Sequence, residues 1–380
     1  MVENKPLWDD SGWAGLPTLT GEVETHLCVV GLGGSGLTAV NAALEWGVPV
    51  VGIDAATVGF GAAGRNGGLL IAGMARFHHD AVKAHGRICA TALYQRTLTE
   101  LDRLVGNIPR FARRTGSLRI AESDAEYADC LDQLVAMHED GLDAELYDGP
   151  EGRGLLFPHD AVFHPLVRCR TLARHAQGHG VRLYENSPAI QIEGNCVTTP
   201  QGTIRCQHVV VAVDGNLERL IPELQGRVRT TRLQMLGTAP TAIRFTRPVY
   251  SRYGYDYWQQ LPDGRVGLGG FRDQFMDEEW TDSTEPSAPI QGRLEHHLRH
   301  RLNVGAPITH RWGASVSYTE DGLPICEEVR PGVLVIGAYS GTGNLVGSLL
   351  GRRAVQWHLN GSDPLFDLIT AARHAVCEPL

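Results

Sequence analysis

The sequence has no excess of basic residues and no long apolar run, and each absence excludes a class of protein. Its 380 residues include 34 Lys and Arg against 43 Asp and Glu, a formal net charge of −9. This acidic balance is unfavourable for general binding to nucleic acid or to anionic lipid. No stretch approaches the roughly 18 consecutive apolar residues of a membrane span, so none is expected.

The sequence also shows no CxxC pair and no pattern of a secretory signal. Its eight cysteines are scattered without a CxxC pair. This pattern is typical of reduced thiols, so we expect no disulfide framework, no metal site and a cytoplasmic location. Neither a basic region nor an apolar core stands in the first twenty residues, so no signal peptide is expected. Composition and length together predict a globular chain of roughly two domains.

A glycine-rich turn follows the first apolar run, Leu27 to Val30. Gly31, Gly33 and Gly36 match the GxGxxG pattern, and Asp54 ends the next apolar run. The glycines permit a tight turn, close approach of a pyrophosphate and close packing of the following helix. Asp54 would accept hydrogen bonds from ribose hydroxyls and repel a 2′-phosphate. The spacing predicts a dinucleotide site but does not by itself separate NAD from FAD.

A second glycine-rich segment, GFGAAGRNGG at 59–68, follows shortly after Asp54. An NAD-binding unit has no need of it, whereas a flavin requires the chain to cross close to its pyrophosphate and ring. The segment resembles the GRNGG motif of FAD-dependent oxidoreductases of the D-amino-acid oxidase superfamily. The similar branch contains γ-glutamylputrescine oxidase and the glycine and sarcosine oxidases. Further segments resemble that family in the same order, over about residues 20–358: GVRLYENSP (180–188), VVVAVDG (209–215), WGASVSYTEDGLPI (312–325) and IGAYSGTGN (336–344).

The resemblance implies FAD as the cofactor. Ala63 stands where relatives often have Ser, which removes one side-chain hydrogen bond near the phosphates. No cysteine stands near Ser315 or Val316, where sarcosine-oxidase relatives tether the flavin, so FAD is expected to be non-covalent. The expected cofactor-binding residues are Gly31, Gly33, Gly34, Ser35, Gly36, Asp54, Ala55, Gly61, Ala62, Ala63, Arg65, Asn66, Gly67, Gly68, Ala189, Ile190, Val213, Asp214, Gly337, Gly341, Thr342, Gly343 and Asn344.

Helical and strand-rich segments alternate irregularly, which predicts an α/β fold (α+β overall). We expect a Rossmann-like FAD-binding domain with an inserted antiparallel β-sheet substrate domain, preceded by an irregular leader over 1–25. The expected FAD-binding segments are 26–85, 155–225 and 305–375, and the substrate-domain segments are 86–154 and 226–304.

Three local predictions can be compared directly with the structure. The apolar spacing predicts a helix over 88–105. A capping box at Ser123 predicts a helix with Leu131, Leu134 and Val135 on one apolar face. The acidic, Pro- and Ser-containing stretch at 277–289 predicts a surface loop.

Aromatic residues are the candidates for the substrate side, because aromatic walls hold a cation and exclude water. Tyr255, Tyr257 and Trp258 lie on a predicted strand, whose alternation places Trp258 on the face opposite the two tyrosines. Core packing is the alternative for each. We predict catalytic roles for Tyr318, Tyr339 and Tyr257, and substrate contacts for Tyr255, Trp258, Val316 and Arg272.

The function that the resemblance implies, together with these residues, is oxidation of a primary or secondary amine to an imine, with hydride transfer to the flavin. Glycine-oxidase relatives carry a substrate-binding arginine where this chain has Val316, and sarcosine-oxidase relatives carry a lysine where a loose alignment places Leu268. The electron acceptor, oxygen or another, is therefore open, and a homo-oligomer is compatible with the sequence. Alternatives are an amino-acid oxidase or dehydrogenase and a flavin-containing electron-transfer subunit.

Overall fold

The chain forms two units, each assembled from three separated segments. Unit 1 consists of the residues up to 10, 65–165 and 231–315, and unit 2 of 11–64, 166–230 and the residues from 316 onward. The computed structural model describes residues 4–9, 12–107, 111–193 and 195–375. The sequence predicts segment boundaries near 85, 154, 225 and 304. The corresponding boundaries in the structure are at 64, 165, 230 and 315, so the first differs the most.

Helices and strands are numbered here along the chain. The strands are β1 (Gly21–Glu24), β2 (Leu27–Val30), β3 (Val50–Ile53), β4 (Leu69–Leu70), β5 (Ala112–Arg114), β6 (Ser117–Ile120), β7 (Glu145–Gly149), β8 (Gly152–Phe157), β9 (Ala161–Phe163), β10 (Arg182–Tyr184), β11 (Gln191–Glu193), β12 (Cys196–Thr198), β13 (Gly202–Arg205), β14 (His208–Val211), β15 (Val228–Thr238), β16 (Val249–Ser251), β17 (Asp256–Gln260), β18 (Val266–Gly270), β19 (Ile308–Thr319), β20 (Ile325–Arg330) and β21 (Val333–Gly337). The α-helices are α1 (Gly34–Glu45), α2 (Ala62–Arg65), α3 (His78–His85), α4 (Arg87–Asn107), α5 (Asp124–Glu139), α6 (Pro165–Gly178), α7 (Leu217–Leu220), α8 (Met276–Glu279), α9 (Ala288–His300), α10 (Val346–Asn360) and α11 (Pro364–Ala375).

Unit 2 is built on a six-stranded sheet in the order β10-β3-β2-β14-β21-β20. The first five strands are parallel and β20 is antiparallel at the edge. β2, β3 and β21 are buried along their whole length, which explains why they read as uninterrupted apolar runs. Parallel strands end at one edge of a sheet, and in open α/β folds ligands bind at this carboxyl edge.

Unit 1 contains an eight-stranded sheet in the order β19-β15-β18-β17-β16-β6-β8-β7 and a three-stranded sheet in the order β4-β9-β5. The recorded pairings of the larger sheet are antiparallel, except that β16 and β6 run parallel. One face packs against α9, in a core cluster that includes Trp258, Leu268 and Leu294. Because side chains alternate along a strand, Tyr257 lies on the other face of β17.

Residues 4–9 and 12–20 form no helix or strand, but the irregular leader expected over 1–25 needs correction at its end, where β1 forms. β1 pairs in parallel with β13 in unit 2. Within unit 1, Leu7 and Trp8 are buried, and they cover Gly237 and Gly267 so closely that side chains at either glycine would meet them. The physical reason is that glycines on β15 and β18 leave space that large apolar side chains from the chain start fill.

The helix predicted over 88–105 is confirmed as α4, and the capping box is confirmed because Ser123 Oγ accepts a hydrogen bond from Glu126 N at 3.1 Å. Leu131, Leu134 and Val135 share one face of α5 as expected, but Leu131 and Val135 are exposed, so this is not the face that packs into the core. The buried residues of this helix include two polar ones, Glu126 and Gln133.

A buried arginine on β6 explains this inversion. The Arg119 side chain is fully buried, and it donates hydrogen bonds to Gln133 and Asp129 of α5. Its guanidinium also lies 3.5 Å from the centre of the Phe77 ring. An unpaired buried charge is very unfavourable, so α5 turns its polar residues inward. Asp129 belongs to the group His79, Asp80 and Asp129, which has the spacing of metal ligands, but here the guanidinium supplies the positive charge.

The acidic stretch at 277–289 is only partly the expected surface loop, and this prediction needs correction. Residues 276–279 form α8, and Glu279 is buried. Both of its carboxylate oxygens accept hydrogen bonds from Arg232, Nε at 2.8 Å and Nη2 at 2.7 Å. The bidentate pair explains why an acidic residue enters the interior of unit 1.

No helix within the described residues is long and apolar enough to cross a membrane.

Glu185 anchors three separated segments of unit 2. It follows β10 and is buried. Its carboxylate accepts hydrogen bonds from Trp13 Nε1 at 2.7 Å, Leu16 N at 2.8 Å and Val58 N at 2.5 Å. Charge-assisted hydrogen bonds of this kind are the strong ones in proteins, so the loop before β1 and the loop after β3 depend on this one side chain.

Removing this carboxylate leaves three donors without their acceptor. We expect Glu185→Ala to lower the free energy of unfolding by about 3 kcal/mol, since each buried unsatisfied donor costs roughly 1–3 kcal/mol and water recovers part of it. Glu24→Ala, the same substitution at an exposed residue of unit 2, should change it by less than about 0.5 kcal/mol. Chemical denaturation of both variants measures the difference, and equal midpoints would contradict the anchoring role.

Candidate functional site

The glycine turn connects β2 to α1 at the carboxyl edge of the unit 2 sheet. Gly31 has φ +102°, and a Cβ atom there would lie 2.7 Å from the carbonyl oxygen of Ala212. A Cβ atom on Gly36 would lie 1.8 Å from the carbonyl oxygen of Gly31. Only glycine allows these approaches. The turn is therefore tight, and the first N–H groups of α1 lie beside it without helical acceptors, as at an anion site.

Asp54 lies at the same edge, directly after β3. Oδ2 accepts a hydrogen bond from Leu32 N at 2.7 Å, and Oδ1 accepts one from Ala56 N at 2.9 Å. Removal from water raises the pKa of this carboxyl group to about 6, although the two hydrogen bonds act in the opposite direction. The side chain thus holds the glycine turn and retains lone pairs for further donors.

The second glycine segment contributes to both units. In unit 2, the Ala63 methyl group lies 3.2 Å from where a Cβ atom of Gly33 would be, so Ala63 faces the glycine turn. In unit 1, Arg65 is buried and donates to Asn4 Oδ1 at 2.9 Å and to the Gly313 carbonyl oxygen at 2.8 Å. Burial lowers the pKa of this guanidinium. These contacts give Arg65 a role in holding the segment.

Asn66 and the two glycines after it form a local turn in unit 1. Asn66 Oδ1 accepts a hydrogen bond from Gly68 N at 2.8 Å, and Gly68 has φ +70°. A Cβ atom on Gly67 would lie 3.1 Å from the Tyr257 ring. Tyr257, a predicted catalytic residue, therefore packs directly on the glycine segment, and so does Gln259, which donates to the Gly67 carbonyl oxygen.

Asp214 organises the last glycine turn of unit 2. Its carboxylate accepts hydrogen bonds from Tyr339 N at 3.0 Å and Ser317 N at 3.3 Å. Removal from water raises the pKa of this group to about 6. Ala338 and Ser340 have φ values of +52° and +50°, unusual for residues with side chains. The carboxylate thus supports a strained turn that leads into α10.

The turn brings together several predicted cofactor residues. A Cβ atom on Gly337 would lie 2.4 Å from the Val213 carbonyl oxygen, so strand and turn are in close contact. Val346 N donates to Thr342 O at 3.2 Å and Gly347 N donates to Gly343 O at 3.0 Å. Helical hydrogen bonding therefore starts at Thr342, and the N–H groups of this first turn have no helical acceptor.

The two tyrosines predicted to be catalytic in unit 2 have different surroundings. The Tyr318 hydroxyl lies 3.3 Å from where a Cβ atom of Gly341 would be, so Tyr318 lies at the turn. The Tyr339 ring is buried against Gly343 and Gly347, and burial raises the pKa of its hydroxyl well above the usual value. This placement favours a packing role for Tyr339.

The candidates in unit 1 lie on opposite faces of its sheet. Trp258 is 1% exposed in the cluster against α9, with its ring centre 5.7 Å from that of His297. Its placement corresponds to the core alternative for a predicted substrate-binding residue. Tyr255 lies under the Arg272 guanidinium, 5.8 Å from the ring centre, and Trp280 lies 5.4 Å from the same group. These three form a separate aromatic and cationic cluster.

Leu268 also faces α9. The sequence analysis aligned Leu268 loosely with a lysine of sarcosine-oxidase relatives, and its position bears on that alignment. The residues of β18 that share a face with Tyr257 are Gly267 and Gly269, and a Cβ atom on Gly269 would lie 2.5 Å from the Tyr257 ring. Leu268 is therefore not a replacement for a cation on that face. β18 has no charged side chain on that face, so the position of Leu268 leaves the electron acceptor open.

Comparison with known proteins identifies the family of the chain. A family model described as FAD dependent oxidoreductase, or DAO, matches residues 26–357. The chain belongs to this family. It is 27% identical to a probable oxidoreductase, OrdL, of Rhizobium meliloti (strain 1021), over 92% of this chain and 86% of that protein. It is 26% identical to the gamma-glutamylputrescine oxidoreductase of Escherichia coli (strain K12), over 95% of this chain and 90% of that protein.

Solved structures of this FAD-dependent oxidoreductase fold are also similar. Glycine oxidase from Geobacillus kaustophilus has a TM-score of 0.77 at 18% identity, covering 91% of this chain and 97% of that one. L-proline dehydrogenase from P. horikoshii has a TM-score of 0.73 at 17% identity, covering 94% and 99%. The family resemblance and the fold class inferred from the sequence are thus confirmed.

FAD is the cofactor of this oxidoreductase family, and the edge of unit 2 fits it. The close approaches at Gly31 and Gly36 form a cradle that side chains would fill, beside the N-terminus of α1. Such a cradle suits a pyrophosphate, and Asp54 suits a ribose. Ile190, one of the expected cofactor-binding residues, is 64% exposed. The assignment of individual cofactor contacts stays a prediction.

Sequence reasoning missed Arg168, which lies in α6. It is buried, and its Nη1 atom lies 2.9 Å from where a Cβ atom of Gly34 would be. Its Nη2 atom donates to Thr38 Oγ1 at 3.3 Å. A guanidinium thus stands at the start of α1, where the oxidoreductase would hold phosphates. No motif marks this arginine, because a distant segment brings it there.

Gly36 tests the cradle of the oxidoreductase. Gly36→Ala would place a methyl group against the Gly31 carbonyl oxygen, so α1 must move and we expect at least a tenfold loss of FAD affinity, about 1.4 kcal/mol. Gly178→Ala is the control, because nothing lies within 4 Å of its Cβ position in α6. Flavin absorbance per protein after dialysis measures the retained cofactor. Equal retention in both variants would disprove the cradle.

The raised pKa of Asp54 predicts a pH-dependent FAD affinity. The folded-state pKa of about 6 exceeds the ordinary 3.8, so deprotonation disfavours the folded apoprotein, and this group's contribution to stability falls between about pH 4 and 6. An ionised carboxylate accepts hydrogen bonds from ribose hydroxyls more strongly than a neutral carboxyl group does, so affinity should rise with pH through about 6. Titration of apoprotein with FAD from pH 5 to 8 measures this, and Asp54→Asn should remove the dependence. A wild-type profile equal to that of the variant would contradict it.

Proposed function

We propose that the chain oxidises a primary or secondary amine to an imine, which water hydrolyses to an aldehyde or ketone and a smaller amine or ammonia. Bound FAD supplies the acceptor for the hydride that leaves the carbon next to nitrogen. The protein has to hold the neutral amine in position and exclude water, so it needs little acid or base chemistry. Oxygen or another acceptor completes the cycle.

The observation that carries this proposal is Val316. Its side chain is 7% exposed on β19, and the sequence resemblance aligns it with the arginine that glycine-oxidase relatives use for the substrate carboxylate. An α-carboxylate brought to this apolar side chain would lose water without gaining a partner. A bidentate arginine would instead contribute roughly 1.5–3 kcal/mol per hydrogen bond to a charged group. The difference selects against amino acids and for amines.

Two further features support the proposal. The gamma-glutamylputrescine oxidoreductase, 26% identical, has a name that refers to an amine substrate. In unit 2, Tyr318 lies at the turn before α10, whose N–H groups offer partial positive charge to a reduced flavin. Tyr257 and Tyr255 of unit 1 are the remaining aromatic candidates for substrate contact.

We also propose that FAD is non-covalent, since Ser315 and Val316 stand where a tethering cysteine would be required.

We expect an alkyl amine to exceed the α-amino acid of matching side chain by at least tenfold in kcat/KM. The measurement is anaerobic bleaching of the purified flavoprotein with a panel of amines, then steady-state kinetics for each matched pair. Acid precipitation of the same sample should release FAD into the supernatant. An amino acid that wins by tenfold would establish the amino-acid oxidase alternative. Failure to bleach with the whole panel would favour the electron-transfer subunit.

A substitution at Val316 separates these outcomes. Val316→Arg should raise kcat/KM for the amino acid relative to the amine, because the guanidinium can pair with the carboxylate. Val316→Met is the control for side-chain size, and it should leave the ratio near that of the wild type. An unchanged ratio in Val316→Arg, with normal flavin content, would show that the carboxylate does not approach this position.

A further inference from the structure

Unit 1 contains a cavity of about 430 Å³ whose charged lining is entirely positive. The arginines Arg113, Arg244 and Arg247 line it, together with Thr115, Gln259 and Gln260. None of the lining residues carries a carboxylate. The volume lies in the range of small-molecule sites. In a chain of net charge −9, this concentration of positive charge requires an explanation.

The three arginines lack carboxylate partners among the described residues. Most other arginines of the chain pair with acids. Arg114, which neighbours Arg113 on β5, forms an ion pair with Asp102, for example. Arg244 donates only a long hydrogen bond of 3.4 Å to the Thr241 carbonyl oxygen. The Arg247 Nε atom is buried and has no hydrogen-bond partner within the parts of the chain that are described. Three guanidinium groups therefore converge on one cavity with donors to offer.

The backbone around the cavity is held in place by Gln260. Its Oε1 atom accepts a hydrogen bond from Phe245 N at 3.0 Å, and its Nε2 atom donates to the carbonyl oxygens of Ile243 at 2.8 Å and Gly264 at 3.0 Å. These bonds join the loops on either side of β16 and β17. Arg113 lies on β5, whose main chain pairs with β9. The main chain that carries Arg113 and Arg244 is thus held by hydrogen bonds.

We propose that this cavity is a binding site for a small polyvalent anion that carries carboxylate or phosphate groups. Guanidinium groups suit both chemistries, since each presents paired N–H donors to two oxygens. Gln259 lines the cavity and donates to the Gly67 carbonyl oxygen. The bound anion would therefore touch a residue that supports the glycine segment of unit 1. The site is independent of the amine chemistry proposed above.

The experiment is calorimetric titration of the FAD-loaded protein with inorganic phosphate and, separately, with citrate. Ionic strength is held constant with chloride. We expect saturable binding of at least one probe, and the tighter probe identifies whether the site favours phosphate or carboxylate. Absence of saturable binding by both probes would overturn the proposal.

Matched variants locate the binding. Arg247→Gln and Arg113→Gln should each weaken the better probe by at least tenfold. Arg153→Gln removes one exposed arginine of unit 1 that is outside the cavity lining, and it should leave affinity unchanged. Flavin absorbance and the unfolding temperature verify that each variant is folded. Arg113 is exposed on β5, so at least this variant should fold. Wild-type affinity in both cavity variants, or equal weakening in Arg153→Gln, would overturn the site.

Discussion

The loops at the carboxyl edge of unit 2 are held by hydrogen bonds from main-chain N–H groups to acidic side chains. Three of its parallel strands lead into an acid: Asp54 after β3, Glu185 after β10 and Asp214 after β14. Each carboxylate accepts hydrogen bonds from at least two main-chain N–H groups of neighbouring segments. The remaining two strands, β2 and β21, end at glycines, where backbones approach closely. At this edge, the loops after three strands are therefore held by acidic side chains. The loops after the other two strands contain glycines, which allow close contact between main-chain segments.

This arrangement reconciles negative side chains with a cofactor that carries phosphates. The pKa values of about 6 for Asp54 and Asp214 show that ionisation of these groups is opposed by their removal from water. Their hydrogen bonds draw the carboxylates toward the backbone, while the N-terminus of α1 and the Arg168 guanidinium lie at the glycine turn. Anion binding in such a site comes from oriented N–H groups and one cation.

Sequence reasoning reached the parts of the fold that depend on neighbouring residues. The turn at Gly36 and the position of Asp54 follow from local spacing, and the capping box at Ser123 follows from a short motif. The buried face of α5 could not be predicted in this way. It depends on Arg119, which lies on β6 outside the helix and requires polar hydrogen-bond partners. For the same reason no local pattern reveals Arg168. Individual substrate contacts remain predictions, since an aromatic residue on a strand has the same pattern in a core and in a pocket.

The interleaving of the two units has a consequence for biosynthesis. The central sheet of unit 2 is incomplete until β21 takes its place between β14 and β20, so the second strand from one edge of this sheet emerges from the ribosome among the last. The parallel pairing of β6 with β16 likewise joins residues 117–120 to 249–251. Pairings so distant in sequence form slowly and leave strand edges exposed in the meantime. Exposed strand edges of this kind make incomplete chains prone to aggregation. Any contiguous fragment that contains a whole unit also contains segments of the other unit.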